Sequence, residues 1–533
     1  MSKSLFKSTS TVSLMTMISR ILGFIRDMVA AQIYGINASV DAFNIAFKIP
    51  NFMRNLFAEG SFSQAFVPVL SQYRQTRPKE EVREFINHIA GSLGSILFLV
   101  TIIGVIAAPL LVTLSAPGFN LLGPLRFHYA TEMLRVTFPY LMLISLTAFS
   151  ASILNSYGSF AVPSLTPALL NIVLIIAAFW GSRYFRVPVE AQAWGVFIAG
   201  LVQFLFQLPF LWRKGLLPIP KINWKDEGVR RVLKLMVPAI FGASVGQISL
   251  FFNTVFASFL PIGSVSWLYY SERLAYFPLG VFGVALATVV LPHLSRKHAE
   301  QSPAQFMSAL DWGIRCNILI GLPATCVLLF FAGPIITTLF QYGRLAEHDV
   351  FMIRQSLVAY AVGLQAFMLV KVLSAGFYAR QDIKTPVRIA VATVVLNLVF
   401  NMVLLKPLAH AGLALATSLS SWLNVTFLLL ALRKKGVYYL QKGWAIFGFR
   451  LLLANGAISL MLWWAEGSLQ QWFIWDWQQR FMHLLGWLTL AVALYLFCLW
   501  LSGMRLRHFN AHISPQLSSG FSGQEKKLEE SNH

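Results

Sequence analysis

Apolar runs of about twenty residues, the length a helix needs to cross a bilayer's hydrocarbon core, recur along the whole chain between short polar breaks. The pattern predicts fourteen spans, near 11–34, 40–70, 86–114, 129–155, 160–181, 190–212, 229–259, 264–292, 305–332, 351–379, 386–405, 409–432, 444–465 and 481–502. A membrane barrel would instead alternate apolar and polar positions over segments of about ten residues. The expected fold is therefore an all-α polytopic membrane protein with about 14 transmembrane helices.

The second span departs from plain hydrophobicity. Asp41, Asn44, Lys48, Asn51, Asn55, Glu59 and Ser63 recur every three or four positions and share one helix face. From Asp41 to Ser63 a helix rises about 33 Å, close to the thickness of the hydrocarbon core. A polar stripe of that length predicts a water-accessible path.

A weak internal repeat runs at an offset of about 224 residues. FSQAFVPVLS (62–71) aligns with LATVVLPHLS (286–295), Pro68 over Pro292, and Pro163 aligns with Pro386 at nearly the same offset. Each copy holds six spans, so the copies share orientation, as in parallel-repeat transporters. The expected organisation is a six-helix lobe at 1–212, a linker at 213–228, a second six-helix lobe at 229–432, two further helices at 433–502 and a disordered polar tail at 503–533. The offset also sets Glu272 and Arg273 opposite the Lys48–Ile49 level. Counting loops from an inside N-terminus gives about 26 Lys and Arg on one side and about six on the other, including Arg126 and Arg344. That bias predicts that both termini are cytoplasmic.

Composition supports this reading and narrows the function. The 533 residues are 57% hydrophobic and 12% charged, with mean hydropathy +0.65, whereas a soluble domain is about a quarter charged. The net charge of +21 sits in inter-helix loops, so it reflects topology and not a nucleic-acid partner. The first apolar stretch lacks an A-x-A-like cleavage site and contains Arg20, Arg26 and Asp27, so it is expected to be retained. Cys316, Cys326 and Cys498 lie in apolar segments without a CxxC and read as small buried hydrophobes. Walker A and HExxH sequences are absent, as is any paired-carboxylate arrangement, so the chain is not read as an enzyme and implies no cofactor or metal.

What stands out is charge inside predicted spans: Arg20, Arg26, Asp27, Asp41, Lys48, Arg54 and Glu59 in the first two, and Glu272 and Arg273 in the eighth. Such residues are costly in lipid and face a bundle interior or a wet cavity. One reading makes Asp27–Arg20 and Glu59–Arg54 structural ion pairs. The other makes Arg20, Arg26, Arg54 and Arg273 a cationic site for an anionic, phosphorylated substrate, since guanidinium matches phosphate oxygens. Arg315 and Lys371, near span ends, are expected to reach the interface by snorkelling.

The segments SRILGFIRD (19–27), VDAFNIAFKIPNFMRNLFAEGSFSQAFVPVL (40–70), GSVSWLYYSERL (263–274) and GFYARQDIKTPV (376–387) resemble the MurJ (MviN) lipid II flippases, within the multidrug/oligosaccharidyl-lipid/polysaccharide exporter superfamily, over nearly the whole chain. The resemblance implies a bacterial inner-membrane flippase with two lobes in a V around a cationic cavity, alternating access, and a polyprenyl-tail groove on the last two helices. It assigns Arg20, Arg26, Arg54 and Arg273 to the diphosphate of a polyprenyl-linked disaccharide-peptide, and Asp27, Asp41, Lys48, Glu59 and Glu272 to gating or cavity polarity. Membrane lipids are the other implied partner; nothing in the sequence names a protein partner.

Two departures bear on mechanism. Some relatives carry a second basic residue after the position of Arg54 and an acid three positions after that of Arg273, where this chain has Asn55 and Tyr276. Relatives that hold sodium use an acid in the seventh span with an Asn/Asp pair in the eleventh. Here Asn397 and Asn401 have that spacing, but 228–258 contains no acid, and two amides make a poor cation site. The membrane potential is the simpler driver, supplying about 2.3 kcal/mol per charge per 100 mV for outward anion movement. The alternatives are a flippase for another polyprenyl-diphosphate glycan, or a cation-coupled multidrug exporter, which would favour an acid-lined cavity.

Overall fold

The computed structural model describes residues 3–54 and 62–504, among which every regular element is helical. Asn55, Glu59 and the 505–533 tail lie outside the described residues. In chain order the helices are α1 (Lys3–Tyr34), α2 (Ala38–Arg54), α3 (Ser63–Thr76), α4 (Lys79–Ile106), α5 (Ala108–Ser115), α6 (Pro117–Leu122), α7 (Pro124–Thr137), α8 (Tyr140–Ser156), α9 (Ala161–Phe179) and α10 (Glu190–Arg213). There follow α11 (Glu227–Ser258), α12 (Ser264–Pro278), α13 (Val284–Ala299), α14 (Pro303–Phe330), α15 (Ala332–Phe340), α16 (Glu347–Tyr378), α17 (Lys384–Lys434), α18 (Trp444–Glu466), α19 (Leu469–Ile474) and α20 (Trp477–Leu501).

Among the described residues ten helical stretches are long and apolar enough to cross a membrane, and the chain is a multi-pass membrane protein. Their interruptions follow local chemistry. The 51-residue α17 is two helices meeting at Ala409 (φ 46, ψ −127), just after Pro407, whose ring removes one backbone donor and crowds the preceding turn. The expected break between 405 and 409 falls there. The predicted span at 264–292 is α12 and α13 joined through a π-turn at Leu279–Gly283.

One compact unit gathers residues 1–274, 335–360 and 390–420. Part of its core is a ladder of rings: Phe66 stacks on Phe85 and meets Phe149 edge-on, and Tyr73 also stacks on Phe85. Beside it, the link 213–228 crosses α4 so closely that a Cβ on Gly91 would lie 2.3 Å from the Lys221 carbonyl oxygen. Backbone cannot yield to that contact. Gly91→Ala is expected to lower stability by about 1–3 kcal/mol through overpacking. Gly94→Ala, one turn on with nothing within 4 Å, should gain up to about 1 kcal/mol of helix propensity. Thermal unfolding of the two variants in detergent checks this; equal midpoints would refute the close approach.

The second unit comprises residues 275–334, 361–389 and 421–533. Its anchor is Asp311 on α14, buried, accepting from Arg315 Nε at 2.6 Å, Tyr438 Oη at 2.7 Å and Trp444 Nε1 at 2.8 Å. Arg315 also donates to the Lys442 carbonyl at 3.1 Å and lies over the ring of Trp444. The expectation that Arg315 snorkels is corrected: Asp311 four residues earlier captures it, one helical turn away. Outside the spans, Asp382 caps α17 through the Thr385 amide and binds Lys435, which holds its carboxyl down at about 2. Cys316 and Cys326 are buried free thiols.

Candidate functional site

The charged residues of the first two helices converge on α12. A helix leaves its first N–H groups without intrahelical partners, and here the partner is a side chain from another helix. Asp41 of α2, fully buried, accepts from Gly263 N at 2.7 Å, Ser266 N at 3.0 Å and Ser266 Oγ at 2.6 Å. A carboxylate at this end is also favoured by the helix dipole. Gly263 sits at φ +98, a conformation that side chains disfavour. One turn on, Asn44 Nδ2 donates to Ser266 Oγ at 3.0 Å, and after a further turn Lys48 lies within electrostatic reach of Glu272.

These pairs are separated by 222 to 225 residues, which is the repeat offset. The α2 stretch from Asp41 to Lys48 and the α12 stretch from Gly263 to Glu272 therefore run in the same direction and meet along their polar faces. At Asp41 the stripe is dry and serves helix contact, in contrast to the water-accessible path expected along it.

Two turns into α12 lies the densest charge. Asp27 of α1 accepts from Arg26 Nη2 at 2.6 Å and Arg273 Nε at 2.8 Å, and Tyr269 Oη donates to it at 2.9 Å. Arg26 Nη2 also donates to Tyr269 Oη at 3.0 Å. Asp27 and Arg26 are buried, whereas the Arg273 side chain is 44% exposed. Beyond Nε, Arg273 makes no hydrogen bond among the described residues. Two guanidiniums thus share one carboxylate.

The remaining predicted residues lie around this centre. Arg20, exposed on α1, is not the partner of Asp27; that place is taken by Arg26 and Arg273. Arg54 ends α2, half-buried, with Nε on Asn51 Oδ1 at 3.0 Å. Glu59 lies outside the described residues. Asn397 and Asn401 on α17 belong to an amide and hydroxyl cluster: Asn401 Nδ2 donates to Asn253 Oδ1 at 2.8 Å and Asn397 Oδ1 at 3.3 Å, and Ser249 Oγ donates to Asn397 Oδ1 at 3.2 Å. No carboxylate joins this cluster among the described residues.

Several participants escaped the sequence reading. Tyr269, in an ordinary aromatic run, has no sequence mark except its place one turn before Arg273. Asp349 at the start of α16 accepts from Trp267 Nε1 at 2.9 Å, a third acid on α12. Arg126, counted above as a loop cation, is buried on α7, donating to the Leu260 carbonyl at 3.1 Å and lying over the Phe119 ring. Asp41 is a counter-charge that acts on it.

The family model described as lipid II flippase MurJ matches residues 30–481. A protein of Vibrio cholerae serotype O1 named probable lipid II flippase MurJ is 46% identical over 516 residues, 96% of this chain and 98% of that one. One of Burkholderia cenocepacia named lipid II flippase MurJ is 38% identical, covering 95% and 99%. Among solved structures, a lipid II flippase MurJ in an inward closed conformation superposes with TM-score 0.75 at 26% identity, covering 91% of this chain and 97% of that one. An inward-facing multidrug resistance MATE family transporter of the MOP superfamily gives TM-score 0.67 at 15% identity, covering 81% and 98%, a likeness of fold alone. By its extent of match to the family model and by these relatives, the chain belongs to the lipid II flippase MurJ family.

Proposed function

We propose that this protein is a flippase that carries lipid II, the polyprenyl-diphosphate-linked peptidoglycan precursor, from the cytoplasmic to the periplasmic leaflet by alternating access. The observation that carries the reading is the charge balance on α12. Arg26 and Arg273 share the single carboxylate of Asp27, and Arg273 is half-exposed. An excess guanidinium on an exposed side chain within a membrane protein suits a diphosphate. Exposed Arg20 adds a second cation on the same helix as Arg26, and Arg54 extends the set.

In this reading both termini are cytoplasmic in a bacterial inner membrane, and the fourteen spans comprise lobes at 1–212 and 229–432, linked by 213–228, with tail-binding helices in 433–502. Asp27, Asp41, Lys48, Glu59 and Glu272 serve gating or cavity polarity. A flippase for another polyprenyl-diphosphate glycan would use the same cations.

Depleting the protein in its host and measuring which lipid-linked precursor accumulates on the cytoplasmic face separates the two. Accumulation of a different glycan lipid, with peptidoglycan precursor translocating normally, would exclude the proposal. Arg20→Glu is expected to abolish complementation while leaving the thermal midpoint nearly unchanged, since exposed substitutions typically shift stability by less than about 0.5 kcal/mol. Full complementation by this variant would remove the cationic-site argument.

A further inference from the structure

The link between α10 and α11 is a strap fixed to α4 and apolar on its outer side. Gly215, at φ +67, turns the chain out of α10, and Leu216 packs into the ring-lined core. Beyond it, Pro218 and Pro220 have no N–H to satisfy. The two N–H groups next to them both go to Asn87: Ile219 N to Oδ1 at 2.8 Å, Lys221 N to the carbonyl oxygen at 3.1 Å. Asp226 then receives His88 Nδ1 at 3.0 Å and caps α11 through Val229 N at 2.9 Å. Backbone donors across 218–221 are therefore met without water, as a segment at the edge of lipid requires.

Its outward side chains are unusual for a strap so firmly held. Ile219 is 54%, Ile222 64% and Trp224 45% exposed, while Lys214, Lys221 and Lys225 are exposed among them. The strap crosses α4 at Asn87–Gly91, where the charged start KEEVREF gives way to the apolar run. That is the level at which a spanning helix leaves the headgroups. Large apolar groups alternating with lysines at this depth match an interfacial segment, whose stems sink into the acyl boundary while ammonium groups meet lipid phosphates.

We propose that residues 216–225 form a membrane-interface anchor, inserting Ile219, Ile222 and Trp224 at the headgroup–acyl boundary and binding anionic phospholipid headgroups through Lys214, Lys221 and Lys225. The anchor is independent of what the protein transports. It fixes the strap to the leaflet on the basic side of the protein and to α4 at once, so the starts of α4 and α11 share one interfacial footing.

The test places an environment-sensitive fluorophore at Ile222→Cys, in a chain carrying Cys316→Ala, Cys326→Ala and Cys498→Ala, within phosphatidylcholine nanodiscs with or without phosphatidylglycerol. A label at Gln301→Cys, in an exposed turn between α13 and α14, is the aqueous reference. Headgroup-proximal spin-labelled lipid is expected to quench the Ile222 label, and aqueous iodide to quench it at least about twofold less than the reference. Phosphatidylglycerol should strengthen lipid quenching in this chain but not after Lys214→Gln, Lys221→Gln and Lys225→Gln together. Iodide quenching equal to the reference would overturn the anchor, as would shielding from iodide and lipid alike, which means that protein covers the strap. Indifference to phosphatidylglycerol would overturn the anionic specificity. A photoactivatable phosphatidylglycerol applied to the unsubstituted chain supplies a check free of mutation: crosslinks within 213–225 are expected, and their absence would count against the proposal.

Discussion

Asp27→Ala is expected to cost about 3–5 kcal/mol of stability, because it leaves buried Arg26 without its carboxylate, and removing one partner of a buried pair exposes the full desolvation cost of the other. Arg26 has Tyr269 Oη at 3.0 Å as its remaining acceptor, a neutral group that cannot offset the charge. Arg273→Ala should cost far less, about 1 kcal/mol or below, because its side chain is 44% exposed and water already screens it. The asymmetry would separate the two roles in the proposed site: Asp27 as the organising carboxylate, Arg273 as the exposed cation. Thermal unfolding in detergent reads the first effect and complementation of the depleted host the second. Both variants are expected to fail in complementation, with only Asp27→Ala falling markedly in midpoint. Equal midpoints for the two variants would contradict this assignment.

The second large effect belongs to Asp41. Its two oxygens receive three donors, Gly263 N on Oδ2 and both Ser266 groups on Oδ1. Asparagine has a single oxygen, so its amide NH2 would face a buried backbone N–H as donor against donor. We expect Asp41→Asn to cost about 1–3 kcal/mol, the desolvation cost of a buried unsatisfied group. Amide exchange at Gly263 and Ser266 should accelerate in proportion. Arg126 supplies the control. Buried with Asp41 as its counter-charge, it should be harder to tolerate once the carboxylate is gone. Arg126→Met is therefore expected to cost less in the Asp41→Asn chain than alone, a coupling that a double-mutant cycle measures. Additive costs would mean that the two charges do not sense each other.

These predictions turn on the same helix. Asp27, Asp41 and Asp349, from three different helices, each bond to α12 within eleven residues, Gly263 to Arg273. An acid that satisfies backbone or indole donors holds a position, whereas a shared acid with surplus guanidinium leaves charge for a ligand. Both arrangements lie on one element, the first at its start and the second about two turns further on.

Much of this was legible in the residues. Spans are readable because lipid admits only long apolar helices with internal hydrogen bonds, so periodicity and length suffice, and the break at Pro407–Ala409 follows from a ring that no helix interior accommodates. The intramembrane charges mark themselves by their cost, and the repeat offset already set Lys48 against Glu272. What a charge does there depends on which groups stand within about 3 Å, and for Asp27 and Asp41 several of those groups come from more than two hundred residues away in the chain. Only the tertiary structure gave Asp27 to Arg26 and Arg273 instead of Arg20, turned Asp41 from a wet stripe into a cap, buried Arg126, and recruited Tyr269, whose sequence position looks like any other aromatic. The sequence by itself determined that this chain is a helical membrane protein with arginines inside its first, second and eighth spans; the fold decided which of those arginines share a carboxylate and which keeps a partly exposed guanidinium.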